Sequence, residues 1–405
     1  MGFLETLKNF YLHIFEKYKW VFFIIFAIAI VRYGYLGYQE AMGCSEDMQW
    51  YPARQFWGLG SFVESINPYI AYLNGDTFLS QGPNYAPMLY VLMYPLALLD
   101  FQGAKMAFAI LNFACFFGTL WVFYKHKLPL AFVLSLAIVF LGGYPFGNIF
   151  RNGQIGMILG FLISVAYCYR KNPWILTLAL SVIFVKYTFG IPLFLAFFLA
   201  GYYREVLLAG CINLAFVLLF AWHFDMGVLQ TLLLMPQVST SATPIGPADL
   251  MSLSRLIFGK NLFFISNPFL WAIIGLYVVY ISRVLYAPPP NSLWVSSSLL
   301  LSLGTLYHLG YDHYMLFIAI LIAKDVLRAK NFWLLYLVGL SVFFWYGNRL
   351  FMRADFKALL HMPQELFWSM NMGIPFTTIV SMTLIIGAFG LLFAHRGCKN
   401  HSVAR

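Results

Sequence analysis

The sequence predicts an all-α polytopic membrane protein, and three features of it say so. Of 405 residues, 61% are hydrophobic and 20% aromatic while only 10% are charged, far from the balance of a soluble domain of this length. Apolar runs recur along the chain, among them 21–31, 133–141 and 377–393, and each extends to the ~20 residues that cross a bilayer as a helix. The basic residues lie in short connections between those runs, so the net charge of +10 sets membrane orientation and does not call for nucleic acid as a partner. No soluble domain is left over, and residues 1–405 read as a single membrane domain.

The amino-terminal tract carries Glu5, Lys8, Glu16, Lys17 and Lys19, and no small-residue cleavage site closes the first apolar run, so the first helix reads as an uncleaved anchor. Lys17 with Lys19, Lys125 with Lys127, Arg170 with Lys171, then Arg204, Arg283, 324–330 and 396–399 alternate consistently along the chain if all lie inside. Both termini are then cytoplasmic. The outer face receives 39–84, 147–154, Lys186, 225–260, 309–313 and 348–373. The stretch 85–124 reads as two apolar helices broken near 100–105, one of which only dips into the membrane, and the expected total is about 12 spans.

The first extracytoplasmic loop, 39–84, mixes aromatics with Arg54, Glu64 and the turn signals Gly58, Gly60 and Asn67-Pro68, which predicts short interfacial helices walling a cavity. Pro288-Pro289-Pro290 is a stiff connection, and no repeat at fixed spacing is seen. Of five cysteines, Cys115, Cys168 and Cys211 fall in apolar runs, Cys398 in the basic tail and Cys44 alone in the loop, so neither a disulfide framework nor a metal cluster is expected.

Carboxylates are scarce in so apolar a chain, which draws attention to Glu46 and Asp47 just past the first helix. Asp47 reads two ways: a partly desolvated general base for a hydroxyl, or a solvated loop acid or helix cap; Glu46 is its rival. The turn 147–154 places Arg151, Asn152 and Gln154 before the next helix, where free N–H groups favour an anion such as phosphate; the plainer reading is a capped helix start with Arg151 reaching toward headgroups. Lys186 lies within the apolar stretch 175–202, where an ammonium needs a partner or a wet cavity. The dense polar stretch 307–314 contains His308, Asp312 and His313 and suits hydrogen bonding to an anion or a sugar; it is not read as a helical zinc pattern, and no metal is assigned. Arg255, Arg349, Arg353 and Lys357 share the outer side, and Arg255 alone is kept as a candidate. With no Gly-rich nucleotide loop beside a strand, any activated donor comes from the membrane.

The ordered pieces resemble the GT-C type of polyprenol-phosphate-dependent glycosyltransferases, most nearly glycosyltransferase family 87, which includes phosphatidylinositol-mannoside mannosyltransferases. They are Asp47-Met48-Gln49-Trp50-Tyr51-Pro52-Ala53-Arg54, Asn67-Pro68-Tyr69, Tyr85-Ala86-Pro87 running to Tyr94-Pro95-Leu96, Asn152-Gly153-Gln154-Ile155-Gly156, Val185-Lys186 with Pro192, and Gly310-Tyr311-Asp312-His313-Tyr314. Three departures stand out: 248–255 lacks the family's Asn-Gln pair, Tyr311 replaces a tryptophan, and Tyr314 replaces a second histidine.

The resemblance implies a GT-C-like bundle and an inverting transfer of a hexose, mannose or a relative, from a polyprenyl-phosphate donor to a lipid or glycan acceptor outside the bacterial plasma membrane. It implies Asp47 as general base, Arg151, Lys186 and His313 as cations for the leaving phosphate, and Glu46, Tyr51, Arg54, Asn152, Gln154, Arg255, His308 and Asp312 as substrate contacts, with no cofactor. The alternatives are a transporter or flippase of a lipid-linked sugar, whose charges would line a path, and an oligosaccharide ligase using a lipid diphosphate, for which the loops are short.

Overall fold

The computed structural model describes residues 3–43, 49–62, 64–76, 82–242, 249–258, 267–288, 293–327, 332–347 and 373–394. Among these there are helices and no strand. In chain order they are α1 (Phe3–Gly43), α2 (Trp50–Trp57), α3 (Pro68–Leu73), α4 (Met88–Leu92), α5 (Tyr94–Ala97), α6 (Phe101–Lys125), α7 (Leu130–Leu141), α8 (Tyr144–Arg151), α9 (Gly156–Cys168) and α10 (Pro173–Ile183). There follow α11 (Tyr187–Leu199), α12 (Tyr203–His223), α13 (Val228–Ala242), α14 (Leu250–Phe258), α15 (Pro268–Tyr286) and α16 (Leu293–Thr305). A 3-10 turn at Gly310–His313 leads to α17 (Tyr314–Val326), α18 (Phe332–Val342) ends in a π turn at Phe343–Gly347, and α19 (Gly373–Phe393) closes the order.

Lys17–Gly43, Phe101–Lys125, Tyr203–His223 and Pro268–Tyr286 are each long and apolar enough to cross a bilayer, and α7 with α8, bent by 63° at their junction, are together long enough for a broken span or a re-entrant loop. The chain is a multi-pass helical membrane protein. Where two apolar helices were expected in 85–124, only α6 is long; α4 and α5 have 5 and 4 residues and cannot cross. Likewise 175–202 is broken at 184–186 into α10 and α11. Short helices α2 and α3 occupy the first loop, as expected. Three helices begin at Asn-Pro: Asn67, Asn172 and Asn267 each accept two backbone N–H groups at the first turn while the following proline has none to offer.

At the centre, α16 is buried on every side, as only a helix wrapped by others can be. Its serines satisfy themselves on neighbours: Ser296 donates to the Ala319 carbonyl at 2.9 Å and Ser297 to that of Ala388 at 2.7 Å, while Ser298 meets the Tyr280 hydroxyl at 2.6 Å. Partner α17 is buried from Tyr314 to Ala323. The two form a hairpin around which α9, α11 and α19 pack.

The polar residues separate by end. His126 meets Asp325 at 3.3 Å, Tyr167 donates to the same carboxylate, and Arg170 donates to the Tyr167 carbonyl at 2.6 Å. The basic connections after α6, α9 and α17 therefore share one end of the bundle. The other end, one α9 length or ~20 Å away, holds Gln154, Lys186 and Asp312.

Close packing depends on Gly160, where a Cβ would lie 2.4 Å from Cε1 of Tyr314 and 3.1 Å from Ile318. Gly160→Val is expected to push α9 off α17 at a cost of about 1–3 kcal/mol, read as a lower unfolding temperature of the detergent-solubilised chain; an unchanged midpoint would refute this packing.

Candidate active site

The hairpin tip carries the most concentrated polar chemistry. Lys186, in the turn between α10 and α11, donates to Oδ1 of Asp312 at 2.5 Å, and the side chains are 13% and 3% exposed. Oδ2 of Asp312 takes Nδ1 of His308 at 3.1 Å and the Leu309 N–H at 3.3 Å, so the carboxylate is fully engaged. Since an ionised carboxylate only accepts, the His308 proton belongs on Nδ1. Nε2 then faces the Ser302 hydroxyl at 3.0 Å, which also reaches the Thr188 carbonyl at 2.6 Å. Burial alone would raise Asp312, but the Lys186 ammonium and the His308 bond bring it down to about 2. Asp312 is therefore an anion at any working pH, and Lys186 has the partner its surroundings demand.

Two further elements lock this tip. Asp249, fully buried ahead of α14, accepts the Ser252 N–H at 2.7 Å, its hydroxyl at 2.8 Å and the His308 N–H at 3.3 Å. Its carboxyl is lifted by burial to about 7, against the pull of those bonds and of Arg255. From α14, Arg255 stacks over the Tyr307 ring at 5.6 Å. From below, Trp345 donates to the His313 carbonyl at 3.0 Å, and the His313 ring packs on Phe344 at 4.3 Å. Both His313 ring nitrogens are buried with no hydrogen-bond partner among the described residues. Burial holds that ring down to about 3, so His313 is neutral and offers an N–H where a cation was expected.

The turn after α8 differs from its sequence reading. Residues 147–151 lie within α8 itself, so Arg151 is in the last turn of that helix and not at the start of the next. Gly153, with φ of 53°, makes the reversal: its N–H bonds the Phe150 carbonyl and that of Gln154 bonds Ile149. The cation thus meets the carbonyl end of a dipole, which favours it. Gln154 emerges inward and accepts from the Tyr85 hydroxyl at 2.7 Å, while Asn152 donates to Asn148 at 2.7 Å. Next to Tyr85, the Ala86 N–H bonds the Val185 carbonyl at 3.0 Å, joining this turn to the one that presents Lys186. Helix α8 also packs on the 310–313 turn.

Lys186, His308, Asp312 and Asp249 thus form one network, with Arg255 and Gln154 tied in from two sides. Arg151 faces away, 65% exposed and 4.0 Å from Glu40. Tyr51 donates to Asp76 at 3.3 Å within the first loop, while Arg54 stacks on Trp50 and donates to the Ala97 and Leu99 carbonyls, bracing that loop against the end of α5. Asp47 and Glu46 lie outside the described residues, as do Cys44, Cys398, Arg349, Arg353 and Lys357. Sequence reasoning passed over Lys105, which is 5% exposed on α6 and donates to the Met42 carbonyl at 3.4 Å, and gave Asp249 no role. A lone lysine in an apolar run was the available signal for the first; a buried carboxylate before Ser252 gave none.

Asp312→Asn leaves the Lys186 ammonium without its counter-charge and is expected to cost about 3–5 kcal/mol, while the double change Lys186→Met with Asp312→Asn recovers most of it; thermal unfolding in detergent measures both, and an unaffected single variant would remove the pair from this role. Because Asp249 titrates higher folded than unfolded, the stability it contributes is full below pH ~4 and lost as pH rises toward 7. Asp249→Asn should flatten that part of the unfolding-midpoint profile against pH, and an identical slope would contradict the assignment.

The model of glycosyltransferase family 87 matches residues 84–307, more than half of the chain, a stretch that contains Arg151, Gln154, Lys186, Asp249 and Arg255. No curated protein and no solved structure matches. The chain therefore belongs to glycosyltransferase family 87.

Proposed function

We propose that this glycosyltransferase moves a hexose, mannose or a close relative, from a polyprenyl-phosphate donor to a hydroxyl of a lipid or glycan acceptor, with inversion at the anomeric carbon. The observation that carries the reading is the network of Lys186, Asp312, His308 and Asp249 at one end of an otherwise apolar bundle. A buried charged cluster is costly there unless it serves a polar substrate. A lipid-linked donor fits because its anchor stays in the bilayer while its sugar phosphate reaches that end.

In this reaction the acceptor oxygen forms a bond to the anomeric carbon as its proton passes to the Asp47 carboxylate. The bond from that carbon to the phosphate oxygen breaks, and its electron pair leaves on polyprenyl monophosphate. Fixed positive charge lowers the barrier for such a leaving group. Arg151 and Lys186 supply charge and neutral His313 an N–H. His308 and Asp312 hold Lys186 in place, Arg255, Asn152, Gln154 and Glu46 contact sugar or acceptor, and Tyr51 and Arg54 act by holding the loop that carries Asp47. The site faces outward across the bacterial plasma membrane, with both termini inside, if the end gathering His126, Arg170 and Asp325 is cytoplasmic by its basic connections. About 12 spans require every shorter apolar helix to cross.

Purified chain given labelled polyprenyl-phosphoryl hexose and a membrane extract is expected to yield a new labelled glycoside, identified by mass spectrometry. Asp47→Asn should abolish turnover with folding intact. Full activity in that variant ends the base assignment, and no product from any such donor ends the donor class.

A further inference from the structure

Segment 82–86 runs between the first loop and the turn that presents Lys186, and hydrogen bonds hold it from end to end. At one end the Gly82 carbonyl accepts the side-chain amide of Gln49 at 3.0 Å, and Gln49 is two residues after Asp47 in the chain. At the other the Ala86 N–H bonds the Val185 carbonyl at 3.0 Å, next to Lys186. Carbonyls outside a helix need partners when buried, and here two tyrosines supply them. Tyr69 of α3 donates to the Tyr85 carbonyl at 2.5 Å and Tyr90 of α4 to the Pro83 carbonyl at 3.2 Å, both tyrosines being 0% exposed. The Tyr85 hydroxyl turns outward from the segment to Gln154 at 2.7 Å. Tyr69 is itself fixed from two directions. Oδ1 of Asn67 accepts its N–H at 3.0 Å, and its ring packs on Phe220 of α12 at 5.2 Å and on Tyr90 at 5.7 Å. A phenylalanine would fill that space equally, so the hydroxyl adds direction and not volume.

We infer that Tyr69 is a positioning residue for the transfer: through the Tyr85 carbonyl it fixes segment 82–86, and so sets the separation between the stretch that carries Asp47 and the Lys186 ammonium. In an inverting transfer the incoming oxygen and the leaving phosphate lie on opposite sides of the anomeric carbon, so base and cation have to be held at a set spacing. A misplacement of about 1 Å costs on the order of 100-fold in rate. Wholly buried, Tyr69 acts through the backbone it holds, and Tyr90 supports the same segment two residues earlier. The inference rests on the reading of Asp47 as base and Lys186 as leaving-group cation.

The test is Tyr69→Phe, which removes the hydroxyl and keeps the ring stack, in the full-length chain in detergent well below its unfolding temperature. With labelled polyprenyl-phosphoryl hexose, kcat is expected to fall about tenfold while KM for the donor stays within about twofold. Amide hydrogen exchange, read by mass spectrometry, should quicken about tenfold across 82–87 and stay unchanged in α16 and α17. An unaltered kcat overturns the inference, and so does a raised KM at constant kcat, which would make Tyr69 a binding contact. Exchange that quickens equally in α16 and α17 also overturns it, because the hydroxyl would then serve overall stability alone. Should Tyr69→Phe fail to fold, Tyr90→Phe is read by the same two measurements. A wild-type chain that transfers no hexose from any such donor sinks the donor reading, and the exchange pattern then decides the role of Tyr69 by itself.

Discussion

The ion pair between Lys186 and Asp312 is the constraint on which this end of the molecule depends. Both groups are withdrawn from water, so neither tolerates loss of the other. Holding them 2.5 Å apart forces the turn between α10 and α11 against the tip of the α16–α17 hairpin. That turn in turn presents the Val185 carbonyl to Ala86, whose neighbour Tyr85 reaches Gln154. A buried pair adds little over well-packed apolar residues, so stability is a weak reason for its presence. In the proposed reaction its use is to keep a cation and an anion fixed at one end of the bundle, where a sugar phosphate needs preorganised charge.

The central hairpin explains how such a site is held still. Helix α16 has no exposed face, and its hydroxyls bond backbone carbonyls of α17, α19 and the start of α11. These bonds set the depth at which the tip emerges. Ser302 belongs to both systems: it is a helix–helix contact through Thr188 and a member of the Asp312 network through His308. Packing and chemistry therefore share atoms.

Much of this was legible in the sequence, for physical reasons that differ by residue. Composition fixed the membrane class because hydrophobic fraction needs no tertiary information. Lys186 was flagged correctly as needing a partner, because an ammonium in an apolar stretch is costly whatever the fold. The break at 184–186 was hidden, since hydropathy averages over a lysine and the freed Val185 carbonyl is satisfied only by Ala86, far away in sequence. Arg151 was placed at the wrong helix end because the reversal is made by one left-handed glycine, Gly153. The neutrality of His313 was illegible, since burial is a tertiary property. Lys105 was read as part of a helix break and is a buried cation in the first two turns of a long helix.

The lengths of the helices around the site carry the remaining argument. Helices α9, α10 and α11 have 13, 11 and 13 residues, or ~16–20 Å each, short of the ~30 Å of hydrocarbon. A helix that stops inside a bilayer must satisfy its last backbone groups on protein. Here the reversal at Gly153, the Asn172 cap and the Val185–Ala86 bond do so. Irregular backbone at such depth is tolerated where protein buries it or where it lines a cavity. The polar turns that join these short helices are therefore held by bonds to protein. Helix α8 ties two of them together: it packs on the 310–313 turn, and its last residues reverse at Gly153 to present Gln154 to Tyr85.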